Sequence, residues 1–452
     1  MTKRFWTTVA VGLLLASFSL PLWAGGKQEP ASGPQDQTGG VTTLRVWKFG
    51  SPQNEREYML SQIKIFESKN PSIKIDWAYQ NYPERRTKVI SAKQAGNLPD
   101  ILLSDGQSIP EYVSLGVIRP LDEIDASMVE KWKPRFVPAG WETGVYDGHV
   151  YAVSPFVDMA PMLAYNTEMF KSAGIVDGAG NARPPKNWNE LLSIAQKMNA
   201  NGVSGISLPA SKAPNDLEIF VGVAYRNGAR WISDGKSHVN GPGFVDTLDL
   251  YQKLTKFAQP GYSDTNFRQA MELFFQKKAA MAITMSFAPI LRQSLGAPAD
   301  FPYKIASFPQ RDSVSGQFQK ANFIMTPTVA NMITSSSKSV KQDMAYIDFW
   351  MTPEAQQGWN GSVVEGRIPI MKSNLESAPF AKEYPDLAAE YRKGTLFEGA
   401  LAMPGFAGLS EAEAKLTDAF QEVLLGGSSA KAALDQVQPQ IQQVFDSANK
   451  SK

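Results

Sequence analysis

The chain has 452 residues, of which 43% are hydrophobic and 20% are charged, with a formal net charge of +1, no Cys and only two His. This length favours two or three domains, and this composition is typical of a globular protein. The numbers give no reason to expect nucleic-acid binding. They exclude zinc fingers, iron–sulfur clusters, thiol nucleophiles and multi-histidine metal sites. No cofactor is expected, while carboxylate sites for Ca²⁺ or Mg²⁺ stay open.

The N-terminus has the three parts of an export signal. Lys3 and Arg4 precede an apolar run at residues 9–20, and cleavage is expected after Ala24. A membrane anchor is the alternative, but the run is shorter than the ~20 apolar residues that span a bilayer. We therefore predict a signal peptide at 1–24, a flexible tether at 25–40 and a periplasmic or extracellular mature protein. Without a Cys, no lipid anchor is expected.

Strands and helices alternate after the tether. Apolar spacing predicts the following elements in order: a strand at 43–47, a helix at 55–70, a strand at 73–77, a helix at 85–96 and a strand at 99–103. Such alternation predicts a parallel sheet with helices on both faces. Ligands bind to such sheets beyond the carboxyl ends of the strands.

Residues 151–166 are predicted to cross between two lobes. Both halves of the segment are apolar, and a lone acid, Asp158, lies between Phe156 and Met159. A buried carboxylate is costly unless it is paired or hydrogen-bonded, so we expect Asp158 to line a polar cleft. A segment that faces solvent is the alternative.

The second half of the chain continues the mixed pattern, and it follows a β-hairpin predicted around Asp147-Gly148. Helices are predicted at 167–173, from 187, and at 216–227, 243–258, 267–276, 338–351, 410–424 and 430–445, with strands at 205–208, 279–284, 304–307 and 323–326. The chain is therefore predicted to be α/β throughout.

Enzyme signatures do not emerge from the sequence. Asp234-Gly235-Lys236-Ser237 resembles the end of a phosphate-binding loop, but Arg230 stands where that loop requires Gly. Neither a dinucleotide fingerprint nor a nucleophile elbow is complete. Paired-carboxylate glycoside chemistry stays open, because its two acids need only meet in space.

Aromatic and polar residues follow the predicted strands, where an open α/β sheet binds ligands. Phe49, Arg85 and Asp105 follow the first three strands, Phe156 and Asp158 lie in the crossover, Trp231 lies in a Gly-rich turn, and Phe287 follows a later strand. Each alone is compatible with a core or surface role, and together they predict a binding site.

The order of several short motifs adds a family resemblance. The motifs are Ala95-Gly-Asn-Leu-Pro-Asp100, Leu115-Gly-Val-Ile-Arg-Pro-Leu-Asp122, Asp147-Gly-His-Val-Tyr151, Ala164-Tyr-Asn166, Pro184-Pro-Lys-Asn-Trp188, Phe275-Gln-Lys-Lys-Ala-Ala-Met281, Phe349-Trp-Met-Thr-Pro-Glu354 and Gly366-Arg-Ile-Pro369. Through most of its mature length the chain resembles the extracellular solute-binding proteins of ABC importers, in the sugar-binding branch that is similar to maltose-binding protein.

The resemblance implies a two-lobed fold of the type II periplasmic-binding-protein class, with a mainly parallel sheet in each lobe. It places the N-terminal lobe at 41–157 and 327–353, and the C-terminal lobe at 158–326 and 354–452. Three crossovers, near residues 154–161, 323–329 and 352–369, would form the hinge, and the ligand would lie between the lobes.

The resemblance also assigns roles. Asp105 and Asp158 would accept hydrogen bonds from sugar hydroxyls, Arg85 would face the ligand, and Trp231 and Phe406 would contribute aromatic rings. Where many relatives carry Gly-Pro-Trp, this chain has Met285-Ser286-Phe287, so Phe287 would be the stacking ring and Ser286 its neighbour.

These features predict a monomeric, non-enzymatic receptor that delivers a sugar or oligosaccharide to the membrane permease of an ABC transporter. One alternative keeps the fold but binds a phosphorylated polyol or an acidic oligosaccharide, with Arg85 and Arg367 meeting the anion. A third possibility is a glycan lyase or hydrolase.

Overall fold

The computed structural model describes residues 40–319, 321–327, 329–359 and 367–450. The predicted signal peptide, and the predicted tether up to residue 39, lie outside these residues. Within the described ranges, no helix combines the length and apolar character needed to cross a membrane.

The strands are short and spread along the chain. They are β1 (Thr42–Phe49), β2 (Ile73–Gln80), β3 (Ile101–Ser104), β4 (Val145–Tyr146), β5 (His149–Val150), β6 (Phe156–Ala160), β7 (Met162–Asn166), β8 (Ile232–Ser233), β9 (Lys236–Ser237), β10 (Met281–Thr284), β11 (Tyr303–Ser307), β12 (Ile324–Thr326), β13 (Ala330–Ile333), β14 (Ile368–Pro369) and β15 (Leu401–Ala402).

Helices connect and cover these strands. They are α1 (Gln53–Lys69), α2 (Arg85–Gln94), α3 (Ile109–Ser114), α4 (Leu121–Ile124), α5 (Ala126–Trp132), α6 (Pro138–Glu142), α7 (Thr167–Ser172), α8 (Trp188–Met198), α9 (Pro214–Arg226), α10 (Pro242–Leu254), α11 (Phe267–Phe275), α12 (Ala288–Ser294), α13 (Val340–Trp350), α14 (Pro353–Gln356), α15 (Lys372–Leu375), α16 (Ala378–Glu383), α17 (Pro385–Arg392), α18 (Leu409–Leu424) and α19 (Ala430–Lys450).

The sheet of the first lobe has the order β13-β3-β1-β2. β1 pairs in parallel with β2 and β3, as the alternating pattern predicted, and β13 adds an antiparallel edge. Burial alternates along β1 until Lys48 and Phe49, which are both buried. The loss of alternation marks the point where the strand leaves the sheet face and enters the cleft between the lobes.

The sheet of the second lobe has the order β10-β7-β11, and both pairs are antiparallel. It differs from the mainly parallel sheet expected for each lobe. The physical reason is the path of the chain: β7 follows the crossover strand β6 after one residue, so it enters the sheet from the hinge and runs opposite to its neighbours. Among the described residues, the predicted strand at 205–208 forms only isolated bridges, from Ile206 to Ala258 and from Ser207 to Ala282.

A third sheet, β14-β6-β12-β15, unites the three predicted crossover segments. The central strand β6 pairs antiparallel with β12 and with β14, and Asp158 lies opposite Thr326. All five residues of β6 are buried, which explains why this segment reads as an apolar run in the sequence. The sheet holds Asp158 at the junction of the lobes. We call it the hinge sheet.

Two large hydrophobic cores lie on either side of the hinge sheet. The first-lobe core contains Phe66, Tyr346 and Trp350, and the second-lobe core contains Phe220 and Phe420. Side chains from residues 355–396 pack into the first-lobe core, whereas residues 403–444 contribute to the second. The predicted segment 354–452 is therefore divided between the two cores, and the exact lobe boundaries stay a prediction.

Candidate functional site

A cavity of about 330 Å³ lies between the two lobes, beyond the carboxyl end of β1. The residues that line it come from the first lobe (Phe49, Gly50, Ser51, Pro52, Tyr82), the hinge (Asp158, Arg367) and the second lobe (Asn215, Glu218, Phe267, Arg268, Met285, Phe287, Ile290, Leu291, Ser294). A cavity of this size is at the lower end of the range for small-molecule sites in proteins.

One side of the cavity, which we call the Arg367 side, consists of Asp158 and Arg367. The Arg367 Nη1 donates to both carboxylate oxygens of Asp158 at 2.7 Å, and its Nη2 donates to Glu55 Oε2 at 2.6 Å. Burial alone would lower the pKa of the guanidinium, but the charges of Asp158 and Glu55 outweigh burial and raise it. The arginine therefore stays charged between two acids.

Lys48 completes this charge cluster from behind the cavity wall. Its Nζ lies 3.6 Å from Glu55 Oε1 and donates to the backbone oxygens of Phe49 and Gly50. Burial lowers the pKa of Lys48 to about 8. Burial would raise the pKa of Glu55, but Arg367 and Lys48 together lower it. Two cations thus balance two buried carboxylates, as buried charges require.

A second ion pair, Arg85 with Asp105, lies behind the opposite wall. The Arg85 Nε donates to Asp105 Oδ2, and Ser108 donates its N–H and its Oγ–H to Asp105 Oδ1 at 2.9 and 3.0 Å. Burial would raise the pKa of Asp105, but Arg85 and Arg86 hold it below its usual value. The fully buried Asp105 is saturated with hydrogen bonds from the protein itself.

In front of that pair, Tyr82 and Glu218 face the cavity, and we call them the Tyr82 side. The Arg85 guanidinium stacks 4.0 Å from the centre of the Tyr82 ring. Glu218 lies on α9 and accepts one hydrogen bond, at 3.1 Å, from the Gln107 Nε2 of the first lobe. Burial raises the pKa of Glu218 to about 7, against the lowering effect of Arg85.

Aromatic rings supply the apolar surface of the cavity. Phe287 and Phe267 meet edge to face, with ring centres 5.4 Å apart, and Phe49 closes the first-lobe wall. The Arg367 guanidinium lies 5.7 Å from the Phe287 ring and 4.8 Å from the Phe156 ring. A ligand here would meet aromatic edges and faces together with fixed charges.

The structure brings four of the predicted site residues to the cavity and places four more behind it. Phe49, Asp158, Phe287 and Arg367 line the cavity. Arg85 and Asp105 form the buried pair, Phe156 packs 5.2 Å from Trp359, and Ser286 Oγ accepts the Met159 N–H at 3.0 Å. The second group supports the walls of the cavity.

Trp231 and Phe406 lie in the second-lobe core instead. Trp231 is 0% exposed and Phe406 is 7% exposed, and their ring centres are 6.1 Å apart. Neither residue lines the cavity between the lobes. Their predicted contact with a ligand, based on the resemblance and, for Trp231, also on its position in a Gly-rich turn, stays a prediction.

Sequence reasoning missed Tyr82, Asn215, Glu218, Phe267 and Arg268. Glu218 carried a usable signal, because it lies between Leu217 and Ile219 in a helix whose other residues from Asp216 to Arg226 are buried. The same pattern, an acid in an apolar run, predicts that Asp158 lines a cleft, and Asp158 lines the cavity described here. In α9 the apolar spacing is sufficient to predict a helix, which makes the acid within it less conspicuous.

The model of the family described as bacterial extracellular solute-binding protein matches residues 50–357. The sn-glycerol-3-phosphate-binding periplasmic protein UgpB of Salmonella typhimurium is 27% identical over 354 residues, which cover 74% of this chain and 76% of UgpB.

Two solved structures show the same fold. A solute-binding protein of an ABC transporter from Thermotoga lettingae, bound with alpha-D-tagatose, superposes with a TM-score of 0.76 at 22% identity, and the match covers 90% of this chain and 100% of that one. Maltose-bound MalE3 of T. maritima gives a TM-score of 0.75 at 17% identity, over 89% and 99% of the two chains. These matches confirm the predicted two-lobed α/β fold, and the extent of the family match shows that this chain belongs to the bacterial extracellular solute-binding proteins of ABC transporters.

Proposed function

We propose that this protein is an extracytoplasmic receptor that binds a sugar or short oligosaccharide between its lobes and delivers it to an ABC permease. The observation that carries the proposal is the composition of the cavity, whose lining combines aromatic rings with two carboxyl groups, two guanidinium groups and an amide. Sugars offer apolar C–H faces and hydroxyl edges, so a sugar site needs both kinds of group.

The buried ion pairs at the cavity favour a neutral ligand. Arg367 is bound to Asp158 and Glu55, and Arg85 is bound to Asp105, so neither guanidinium carries uncompensated charge towards the cavity. Hydroxyl groups can add hydrogen bonds to such pairs without breaking them. An anion would instead compete with a buried carboxylate for its arginine, which is costly.

Closure of the lobes would couple binding to delivery. The lobes already touch beside the cavity, where Gln107 donates to Glu218 and where Arg86 donates to Ser410 and Glu413 at 2.7 Å. A ligand that touches both lobes binds the closed form better and shifts the population towards it, which is the hinge closure known for periplasmic binding proteins. The permease would recognise the closed surface, and the receptor would act as a monomer.

A second candidate ligand is an anionic polyol, such as a phosphorylated one. Arg268 lines the cavity, and among the described residues its hydrogen bonds are two long contacts with Ser294, at 3.4 and 3.5 Å. UgpB, whose name states that it binds sn-glycerol 3-phosphate, is one of the relatives. Arg268 could meet a phosphate at the rim of the cavity while the buried pairs stay intact.

Calorimetric titration of the purified protein would separate these candidates. D-tagatose, maltose and sn-glycerol 3-phosphate differ in size and charge, and a broader panel of neutral sugars can be screened by thermal shift. We expect binding of a neutral sugar with a dissociation constant that changes little between low and high salt. Binding of sn-glycerol 3-phosphate alone, weakened strongly by salt, would replace the sugar with an anionic ligand.

The same preparation tests for catalysis. We expect the bound sugar to be recovered unchanged after long incubation, because the family consists of transport binding proteins. Release of a cleaved product by the purified protein, abolished when Asp158 or Glu218 is changed to the amide, would instead support the glycan-active alternative.

A further inference from the structure

Two residues with unused hydrogen-bonding capacity line the same cavity from different lobes. Tyr82 belongs to the first lobe, at the start of the turn that leads into α2, and Glu218 belongs to α9 of the second lobe. Both residues line the cavity. They differ in this respect from Asp158 and Arg367, which are bound to each other.

The Tyr82 hydroxyl is buried and has no hydrogen-bond partner among the described residues. Burial raises the pKa of this phenol well above its usual value, and the nearby Glu218 adds to the effect. The group is therefore a neutral O–H that can donate one hydrogen bond and accept others. A buried hydroxyl without a partner costs free energy, which a ligand could recover.

Glu218 has one carboxyl oxygen engaged. Its Oε1 accepts from Gln107, and no hydrogen bond from a described residue reaches Oε2. The charged groups that act on it are Arg85 and Asp105 of the first lobe and Glu413 of α18. The second carboxyl oxygen of this cavity-lining residue therefore keeps its capacity to accept a hydrogen bond from a ligand.

We propose that Tyr82 and Glu218 recognise a single hydroxyl group of the bound sugar: the Tyr82 O–H donates to the hydroxyl oxygen, and the hydroxyl donates its own proton to Glu218 Oε2. This inference rests on the proposed function and deepens it, because it names a sugar hydroxyl as the group that the Tyr82 side recognises. A hydroxyl fits both roles, since it accepts and donates at once.

The arrangement has two consequences for specificity. A phosphate or carboxylate at this position offers only acceptors and would face the carboxyl of Glu218, so an anionic group is disfavoured on the Tyr82 side. Since the two residues belong to different lobes, the hydroxyl joins them only when the lobes are together. The hydroxyl then contributes to the closed state directly.

The experiment is a double-mutant cycle read by calorimetry. The wild type, Tyr82→Phe, Glu218→Gln and the double variant are titrated with D-tagatose, with maltose and with any neutral sugar found in the thermal-shift panel. Tyr82→Phe is expected to weaken binding about two- to tenfold, and Glu218→Gln about tenfold. One shared hydroxyl makes the losses non-additive, so the double variant loses less than the product of the single losses.

Tyr251→Phe is the matched control. Its hydroxyl is also buried and without a partner among the described residues, but its ring packs between Phe220 and Phe420 in the second-lobe core. This variant should bind like the wild type. Melting curves establish that each variant is folded.

The outcomes distinguish the two proposals. If the wild type binds a neutral sugar and both single variants bind it with unchanged affinity, the shared-hydroxyl inference is overturned and the proposed function stands. Fully additive losses would also overturn it, because they indicate two separate ligand groups. If the wild type binds no neutral sugar in the panel, both proposals fall.

Discussion

The two sides of the cavity use polar residues in opposite ways. On the Arg367 side, Asp158 and Arg367 are bound to each other, and Glu55 and Lys48 behind the cavity wall complete the charge balance. On the Tyr82 side, a phenol and a carboxyl oxygen have no partner among the described residues. The first side has its charges paired within the protein, whereas the second keeps hydrogen-bonding capacity for the ligand hydroxyl that we propose it recognises.

Removing the cation from the Arg367 side should have the largest effect. Arg367→Met keeps an apolar stem but leaves Glu55 and Asp158 buried without their main counter-charge. Breaking a buried pair in this way costs about 3–5 kcal/mol of the free energy of unfolding. Urea denaturation followed by circular dichroism measures the loss.

An exposed pair provides the control for this variant. Lys212 and Asp418 form an ion pair whose side chains are both mostly exposed. Lys212→Met should change the free energy of unfolding by less than about 1 kcal/mol. An Arg367→Met variant as stable as the control would contradict the view that Arg367 balances the buried carboxylates on this side.

The pH dependence of stability should report on Glu218. Its carboxyl has a pKa of about 7 in the folded protein, against roughly 4.3 for an unfolded Glu. The stabilising contribution of the protonated form is therefore complete below about pH 4.3 and is lost as the pH rises through about 7. The loss amounts to about 3–4 kcal/mol.

Glu218→Gln should gain stability relative to the wild type as the pH is raised from 4.5 to 8, measured by urea denaturation at each pH. The groups that act on Glu218, namely Arg85, Asp105 and Glu413, are unchanged in this variant. Burial also raises the pKa of Asp343 to about 7 and of Asp216 to about 6. The free energy of unfolding of Glu218→Gln should therefore still fall as the pH rises, but by less than that of the wild type. Parallel curves for variant and wild type would show that Glu218 is ionised throughout this range.

The aromatic wall gives a smaller effect that is confined to binding. Phe287→Ala removes a ring that faces the cavity, and loss of one stacked face should weaken the binding of a neutral sugar by about 1 kcal/mol, or roughly fivefold. Calorimetric titration with D-tagatose and maltose measures this change. Unchanged affinity for every sugar that binds would remove Phe287 from the site.

Trp231→Phe should have the smallest effect on affinity. The Trp231 ring is fully buried against Phe406, so the variant should bind sugars like the wild type, although its core is altered. The same titration series tests it. A tenfold loss of affinity without loss of stability would restore the role that the resemblance implies for this residue.

The sequence predicted the elements better than the pairings. The strand and helix order of the first lobe follows from local apolar spacing, and the turn at Asp147 and Gly148 has the positive φ angles, 54° and 84°, that its residues favour. The antiparallel second-lobe sheet depends instead on where β7 enters, and short apolar strands give no sign of direction.

Prediction of the site shows the same limit. Asp158 could be found because an acid in an apolar run demands a partner, but Arg367, the partner, lies 209 residues away. No local pattern encodes a contact over that separation. Tyr82 lies three residues before Arg85. An arginine after a predicted strand is the more obvious candidate for ligand binding, so the sequence points to Arg85 and not to Tyr82.

If the lobes rotate about the hinge sheet, the two sides of the cavity should be displaced by different amounts. In a rigid rotation, the displacement of an atom grows with its distance from the axis. Asp158 lies on the central strand of the sheet that joins the lobes, and Arg367 directly precedes β14 of the same sheet. If the rotation axis lies in the hinge sheet, this pair is close to the axis, and we expect it to stay assembled when the lobes open. Tyr82 and Glu218 belong to separate lobes, so opening would separate them. A ligand that enters the open cleft would then form hydrogen bonds to both residues only as the lobes close.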